Sequence, residues 1–376
     1  MTLIEPRPGI LDIAPYVGGE SRAVANPRLG RPIRLASNEG ALGPAPAAMA
    51  AYEALAGEIH RYPDGGSTAL SEALARLHGL DPARIVCGAG SDELISLVIR
   101  AYAGPGDEVV HSAHAFLMYK LNAMAAGATP VAVPDRDLRA DVDAMLAAVG
   151  DRTRLVFLAN PDNPTGSWLP RAEIERLHAG LPSRVLLVLD SAYAEYVDRP
   201  DHTDGLDLAE GEDNVCVLRT FSKIYGLSGL RVGWGYFPSP VAGVLHRIRS
   251  PFNVNAAAQA AALAALGDTD FVAASRAHND AWLPWTAARI AETGLTVHPS
   301  AGNFVLVDFS GTGVDAEAAR LALRDRGILL RQMGAYGLPD CLRLSIGTEE
   351  EMRVTVDAAA DLMREAARPG EAVHGG

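Results

Sequence analysis

The sequence predicts an α/β protein: a mostly parallel, seven-stranded sheet covered by helices, followed by a smaller α+β domain. Three observations carry this. Seven short β-type runs alternate with amphipathic helical stretches between residues 69 and 236. The runs are almost bare of charge, as strands buried on both faces must be. After Pro238 the alternation gives way to long Ala-rich helices, and then to a short series of strands and helices.

The strands fall at 85–87, 108–111, 129–133, 155–158, 185–189, 215–218 and 232–236. Just before the first of them, Leu70, Leu74 and Leu77 share one helical face that ends at Gly79. Leu94, Ile95, Val98, Ile99 and Tyr102 form a second such face, closed by Gly104. Ala-rich helices continue to about residue 293, and then come a strand at 303–309, a helix at 315–326, strands at 328–331 and 341–346, and a helix at 349–366. The expected division is an N-terminal arm (1–30) packing with the small domain, a large domain (31–270), a small domain (271–367) and a disordered tail (368–376).

Composition narrows the function. With 33 basic and 46 acidic residues the formal charge is −13, which argues against nucleic acid or an anionic membrane as the main partner. An anionic substrate must then be caught by a few local arginines. Cys87, Cys216 and Cys341 are far apart, sit in or beside apolar runs and lack metal-ligand spacing, so they read as reduced core thiols, with no metal expected. The first nine residues hold two prolines, Glu5 and Arg7 and no apolar leader core, and no run approaches a membrane span. The expectation is a soluble cytoplasmic protein.

In open α/β sheets ligands bind beyond the carboxyl ends of the strands, and four polar motifs fall there. The most informative is Thr220-Phe221-Ser222-Lys223-Ile224-Tyr225-Gly226-Leu227-Ser228-Gly229-Leu230-Arg231. A lysine among small and apolar residues loses its proton more easily and becomes a usable amine nucleophile. Such amines bond aldehydes, and the aldehyde cofactor most widely held this way is pyridoxal phosphate. Ser222 and Arg231 then make sense as phosphate ligands, whereas the plain alternative is a surface lysine in a Gly-rich loop. Gly88-Ala89-Gly90-Ser91-Asp92-Glu93 opens a helix directly after a strand, with Ser91 placed to cap it and free N–H groups for a phosphate. Glu93 at the third glycine position argues against a dinucleotide fingerprint. Asn160-Pro161-Asp162-Asn163-Pro164-Thr165-Gly166 is a rigid loop that could aim Asn163 at a ligand oxygen. Asp190 ends an apolar strand, where a carboxylate needs a cation; a protonated pyridine nitrogen is one, and a cap or Mg²⁺ ligand is the alternative. Tyr193, three residues on, could donate to a cofactor phenolate.

Together these motifs resemble the fold-type I pyridoxal-phosphate aminotransferases, and among them the histidinol-phosphate aminotransferases, over about residues 33–366. The resemblance implies that Lys223 bonds the cofactor, Asp190 pairs with its ring nitrogen, and Asn163 and Tyr193 hold its 3′-oxygen. Gly90, Ser91, Asp92, Ser222 and Arg231 would surround its phosphate. The family's stacking aromatic falls at His114, with Phe116 as the substitute. Tyr62, in Arg61-Tyr62-Pro63-Asp64, matches a tyrosine that reaches the neighbouring subunit's cofactor, which implies a homodimer. Arg343, Arg331, Tyr16 and Asn38 fall at substrate-contacting positions. The implied reaction is transamination between L-histidinol phosphate and 2-oxoglutarate. Phenylalanine or tyrosine transamination and phosphothreonine decarboxylation are the rivals on the same fold. A cofactor-sensing DNA-binding regulator is disfavoured by the acidic charge and the roughly thirty residues that precede the match. One departure stands out: Asn38-Glu39-Gly40-Ala41 replaces the usual Asn-Glu-Asn-Pro, a change expected to widen or loosen the pocket.

Overall fold

The computed structural model describes residues 6–16, 18–20 and 24–367, so the expected tail at 368–376 lies outside the described residues. After a 3₁₀ turn at Ile10–Asp12, the strands begin with a two-residue one, β1 (Ile33–Arg34), and continue through the seven strands of the main sheet. These are β2 (Ile85–Gly88), β3 (Glu108–Ser112), β4 (Thr129–Val133), β5 (Thr153–Ala159), β6 (Leu186–Asp190), β7 (Val215–Thr220) and β8 (Gly233–Tyr236). They lie in the order β2-β8-β7-β6-β5-β3-β4, and only β8 runs against its neighbours. All seven expected strands are present. β2, β5, β6 and β7 therefore end at one edge, and this edge collects the four polar motifs.

The sheet is covered on both faces because its strands have no polar face to give to water. Every residue of β6 and β7 is buried. One face packs Leu70, Leu74, Val156 and Leu187, and the other packs Leu94, Val98, Leu155 and Val188. Burying one such leucine or valine contributes about 2 kcal/mol. The helix Thr68–His78 stops where Gly79 takes a left-handed φ of 70°, as its sequence suggests. The helix Ser91–Tyr102 ends instead on extended Ala103.

Beyond the helices Ser239–Ile248, Ala256–Gly267 and Thr269–Ala291, a second sheet forms from β9 (Thr296–His298), β10 (Phe304–Asp308), β12 (Arg331–Gln332) and β13 (Cys341–Ser345). It is antiparallel, in the order β12-β13-β10-β9. The run at 328–331 is not one strand. β11 (Ile328–Leu329) pairs in parallel with β1, and the chain changes partners at Leu330 before β12. A third core gathers Ile33 and Leu35 with Val305, Leu323, Leu342, Leu344 and Met352. The last helix, Glu349–Ala366, starts on a capping box between Thr348 and Glu351. Among the described residues no helix is long and apolar enough to cross a membrane.

Candidate active site

A cavity of about 260 Å³ opens at the carboxyl edge of the main sheet and is closed from the other side by β12 and β13. Its wall includes Tyr16, Asn38, Ser91, Asp92, Asn163, Asp190, Tyr193, Ser222, Lys223, Arg231, Arg331 and Arg343, twelve of the fifteen residues singled out from the sequence.

Asp190 is the last residue of β6 and only 5% exposed. Its Oδ2 accepts a 2.7 Å hydrogen bond from Tyr119 Oη, while Oδ1 has no partner among the described residues. Burial pushes the carboxyl up to about 6, against the Tyr119 hydrogen bond, which favours the ion. Lys223 follows β7 and is half-buried; its Nζ donates to the Ser37 carbonyl at 3.3 Å and lies 5.6 Å from the Tyr193 ring centre. Burial, and then the nearby charge of Arg343, bring this amine down to about 8. A free-amine fraction at neutral pH follows, as a carbonyl-bonding lysine needs.

The buried Tyr193 hydroxyl accepts from Asn38 Nδ2 at 2.9 Å. Arg343, 5% exposed, donates to Asn163 Oδ1 and, at 2.9 Å, to the Ala36 carbonyl; its Nε has no partner among the described residues. Since Arg343 occupies Asn163 Oδ1, the Asn163 amide nitrogen remains as a donor. Arg331 stands opposite Arg343 in the β12–β13 register, and its guanidinium lies 5.5 Å from the Tyr16 ring centre.

At the other end the chain forms a tight polar cradle. Arg231, itself at φ 58°, donates to the Ser228 carbonyl (2.9 Å), Asp92 (3.2 Å) and Ser222 Oγ (3.4 Å). A Cβ added to Gly90 would lie 2.4 Å from the Arg231 guanidinium, so only glycine permits this approach. Ser91 is not the cap that its position suggests: Gly90, at φ 87°, is the N-cap and makes no side-chain bond. Glu93 closes the turn instead, accepting from Ala89 N–H at 2.6 Å and from Asn253 at 2.7 Å. The residue that spoils the dinucleotide fingerprint thus holds the loop shut.

Tyr62, expected to serve a neighbouring subunit, lies outside this wall, 83% exposed and stacked on Phe252 at 4.6 Å. Two expectations come out differently. Phe116, not His114, enters the cavity wall, because His114 Nδ1 is held 2.7 Å from the Tyr336 carbonyl. Gly40 does not open the pocket; a Cβ there would meet the Lys223 carbonyl at 2.8 Å, so it backs the lysine loop. Sequence reasoning missed Tyr119 and Tyr336, which also line the cavity. The available signal for Tyr119 was a phenol in an otherwise apolar buried helix face, whose hydroxyl had to find a partner.

The residues present fit pyridoxal phosphate. The unpartnered oxygen of Asp190 suits a cationic ring N–H, the lowered amine of Lys223 suits an aldehyde, and the cradle of N–H, hydroxyl and guanidinium donors suits a phosphate.

Comparison with known proteins agrees. The family described as aminotransferase class I and II matches residues 31–358. A histidinol-phosphate aminotransferase of Rhodospirillum centenum is 59% identical over 96% of this chain and 98% of its own. That of Paramagnetospirillum magneticum is 57% identical over 96% and 99%. The crystal structure of histidinol-phosphate aminotransferase from Sinorhizobium meliloti, in complex with pyridoxal-5′-phosphate, superposes with a TM-score of 0.89 at 34% identity, covering 97% of this chain and 99% of that one. With the family's match spanning nearly the whole chain and its chemistry gathered in one cavity, the chain belongs to the class I and II aminotransferases.

Proposed function

We propose that this chain moves the amino group of L-histidinol phosphate to 2-oxoglutarate, forming imidazole acetol phosphate and glutamate in histidine biosynthesis, with pyridoxal phosphate as cofactor. The observation that carries the reading is the order of groups along one cavity: an anion cradle at Ser91, Ser222 and Arg231, the Lys223 amine, and a second cationic end at Arg331 and Arg343. One end suits the cofactor phosphate. The other suits the phosphate of the donor and, in the return half-reaction, the carboxylates of glutamate. The name shared by the full-length relatives supports the same donor.

Bound there, the cofactor supplies an electron sink for the carbon that loses its proton. Asp190 keeps the ring nitrogen protonated. Tyr193 and the Asn163 amide present donors to the phenolic oxygen, and Phe116 packs beside the site. Lys223 Nζ, whose pKa of about 8 leaves a free-amine fraction at physiological pH, would take the proton from the substrate Cα and deliver it to the cofactor carbon on the far side of the amino nitrogen. Arg331 and Tyr16 sit where they can orient the donor's phosphate. We also propose a cytoplasmic homodimer in which Tyr62, exposed and outside its own cavity, reaches the partner's cofactor phosphate.

Single-turnover mixing of the cofactor-loaded enzyme separately with L-histidinol phosphate, phenylalanine and O-phosphothreonine tests the proposal. Rapid loss of the cofactor's visible absorbance with histidinol phosphate alone is expected. Preference for phenylalanine would replace the donor assignment, and CO₂ release from phosphothreonine would replace the reaction. Lys223→Ala should lose both absorbance and turnover, and retained turnover would sink the mechanism.

A further inference from the structure

Asn38 is 1% exposed and holds a φ of 54°, a left-handed conformation that asparagine adopts more readily than most residues. Its N–H donates to Ser345 Oγ at 2.8 Å, and its carbonyl accepts from the buried Asn303 amide at 3.2 Å. The side chain is held at both ends. Ser345 Oγ donates to Asn38 Oδ1 at 3.0 Å, and Asn38 Nδ2 donates to Tyr193 Oη at 2.9 Å. Ser345 and Arg343 alternate along β13, so one strand face delivers both to the site.

Proton counting fixes the direction of this chain. A backbone N–H only donates, so Ser345 Oγ is the acceptor for Asn38 N–H. The serine's own proton then goes to the oxygen facing it, Asn38 Oδ1. That turns the amide's NH₂ toward Tyr193, whose oxygen is thereby used as an acceptor. The Tyr193 proton is left for an acceptor in the cavity. With the amide turned over, Tyr193 would donate to Asn38, and the buried Ser345 hydroxyl would lose its acceptor.

We propose that Ser345 is a positioning residue, which fixes the Asn38 amide so that the Tyr193 hydroxyl proton points into the cavity, toward the cofactor's phenolic oxygen. The proposal rests on the cofactor reading above.

The test is the pH titration of the bound cofactor's absorbance, without substrate, in wild type, Ser345→Ala, Ser345→Thr, Tyr193→Phe and the Ser345→Ala/Tyr193→Phe double variant. Removing the clamp frees the amide to turn and withdraws one donor from a charged oxygen. Ser345→Ala should raise the titration midpoint by about one pH unit and weaken cofactor binding about tenfold. Ser345→Thr, which keeps the hydroxyl, should restore both. In the Tyr193→Phe background Ser345→Ala should change neither. Asn38→Asp keeps the shape but offers only acceptors, so it should shift the midpoint in the same direction and serves if Ser345→Ala fails to fold. An unshifted midpoint, or an equal shift without the Tyr193 hydroxyl, overturns the proposal while leaving the cofactor reading intact. A wild-type protein that binds no absorbing cofactor overturns both.

Discussion

A buried carboxylate that lacks its cation weighs on the cofactor-free protein, and Asp190→Asn measures the effect. The Asp190 carboxyl titrates near 6 instead of 3.8, chiefly because it is buried at the tip of an apolar strand. The native state therefore favours the protonated acid. Its contribution is fully present below about pH 4 and is lost as the pH rises through 6. By linkage the loss is about 3 kcal/mol at pH 7 and roughly half of that at pH 5. The amide variant carries no such pH dependence, although its NH₂ lacks an acceptor and sets it back by a constant of about 1–3 kcal/mol. Urea unfolding of both cofactor-free proteins at several pH values isolates the term. The variant should gain on wild type by about 1 kcal/mol between pH 5 and pH 7. Adding pyridoxal phosphate should reverse the order, because the carboxylate then has its cationic partner, and loss of a pairing worth about 3 kcal/mol weakens cofactor binding about a hundredfold. A stability difference that stays flat with pH would refute the account of Asp190 as an uncompensated buried acid.

Arg331→Ala removes a charge-assisted contact from the distal end of the cavity; kcat/KM for a phosphorylated donor should fall about a hundredfold and for unphosphorylated donors less than about tenfold. Equal losses would reject Arg331 as the phosphate reader. Gly226→Ala should lower stability by about 3 kcal/mol or more, because φ is 68° and the new Cβ would lie 2.0 Å from the Gly43 carbonyl. An unchanged melting temperature would show that the lysine loop yields more easily than its packing indicates. Tyr62→Ala should weaken cofactor binding about tenfold while the sedimentation of the proposed dimer stays the same; unchanged affinity would remove Tyr62 from a shared site.

The parts of this molecule legible in its sequence are those where residue chemistry clashes with its local surroundings. Asp190 stands out because a charge at the end of an apolar strand demands an explanation, Lys223 because a lysine among small and apolar residues does, and the seven strands because so little interrupts them with charge. What stayed hidden has ordinary chemistry and a partner far along the chain. Phe116 takes the wall position in place of His114 because of a bond from His114 to Tyr336, 222 residues away. Tyr119 matters through Asp190, 71 residues on, and Ser345 through Asn38, 307 residues back. β1 and β11 are two residues each, too short for any periodicity, and they exist because each supplies the other's ladder. The break at Leu330, where one apparent strand serves two sheets, has the same origin. Local pattern thus says which side chains are out of place, and the long-range pairings decide which way they face. A hydroxyl such as Tyr193's, whose direction depends on Asn38 and Ser345 from both ends of the chain, is the kind of detail only the folded structure supplies.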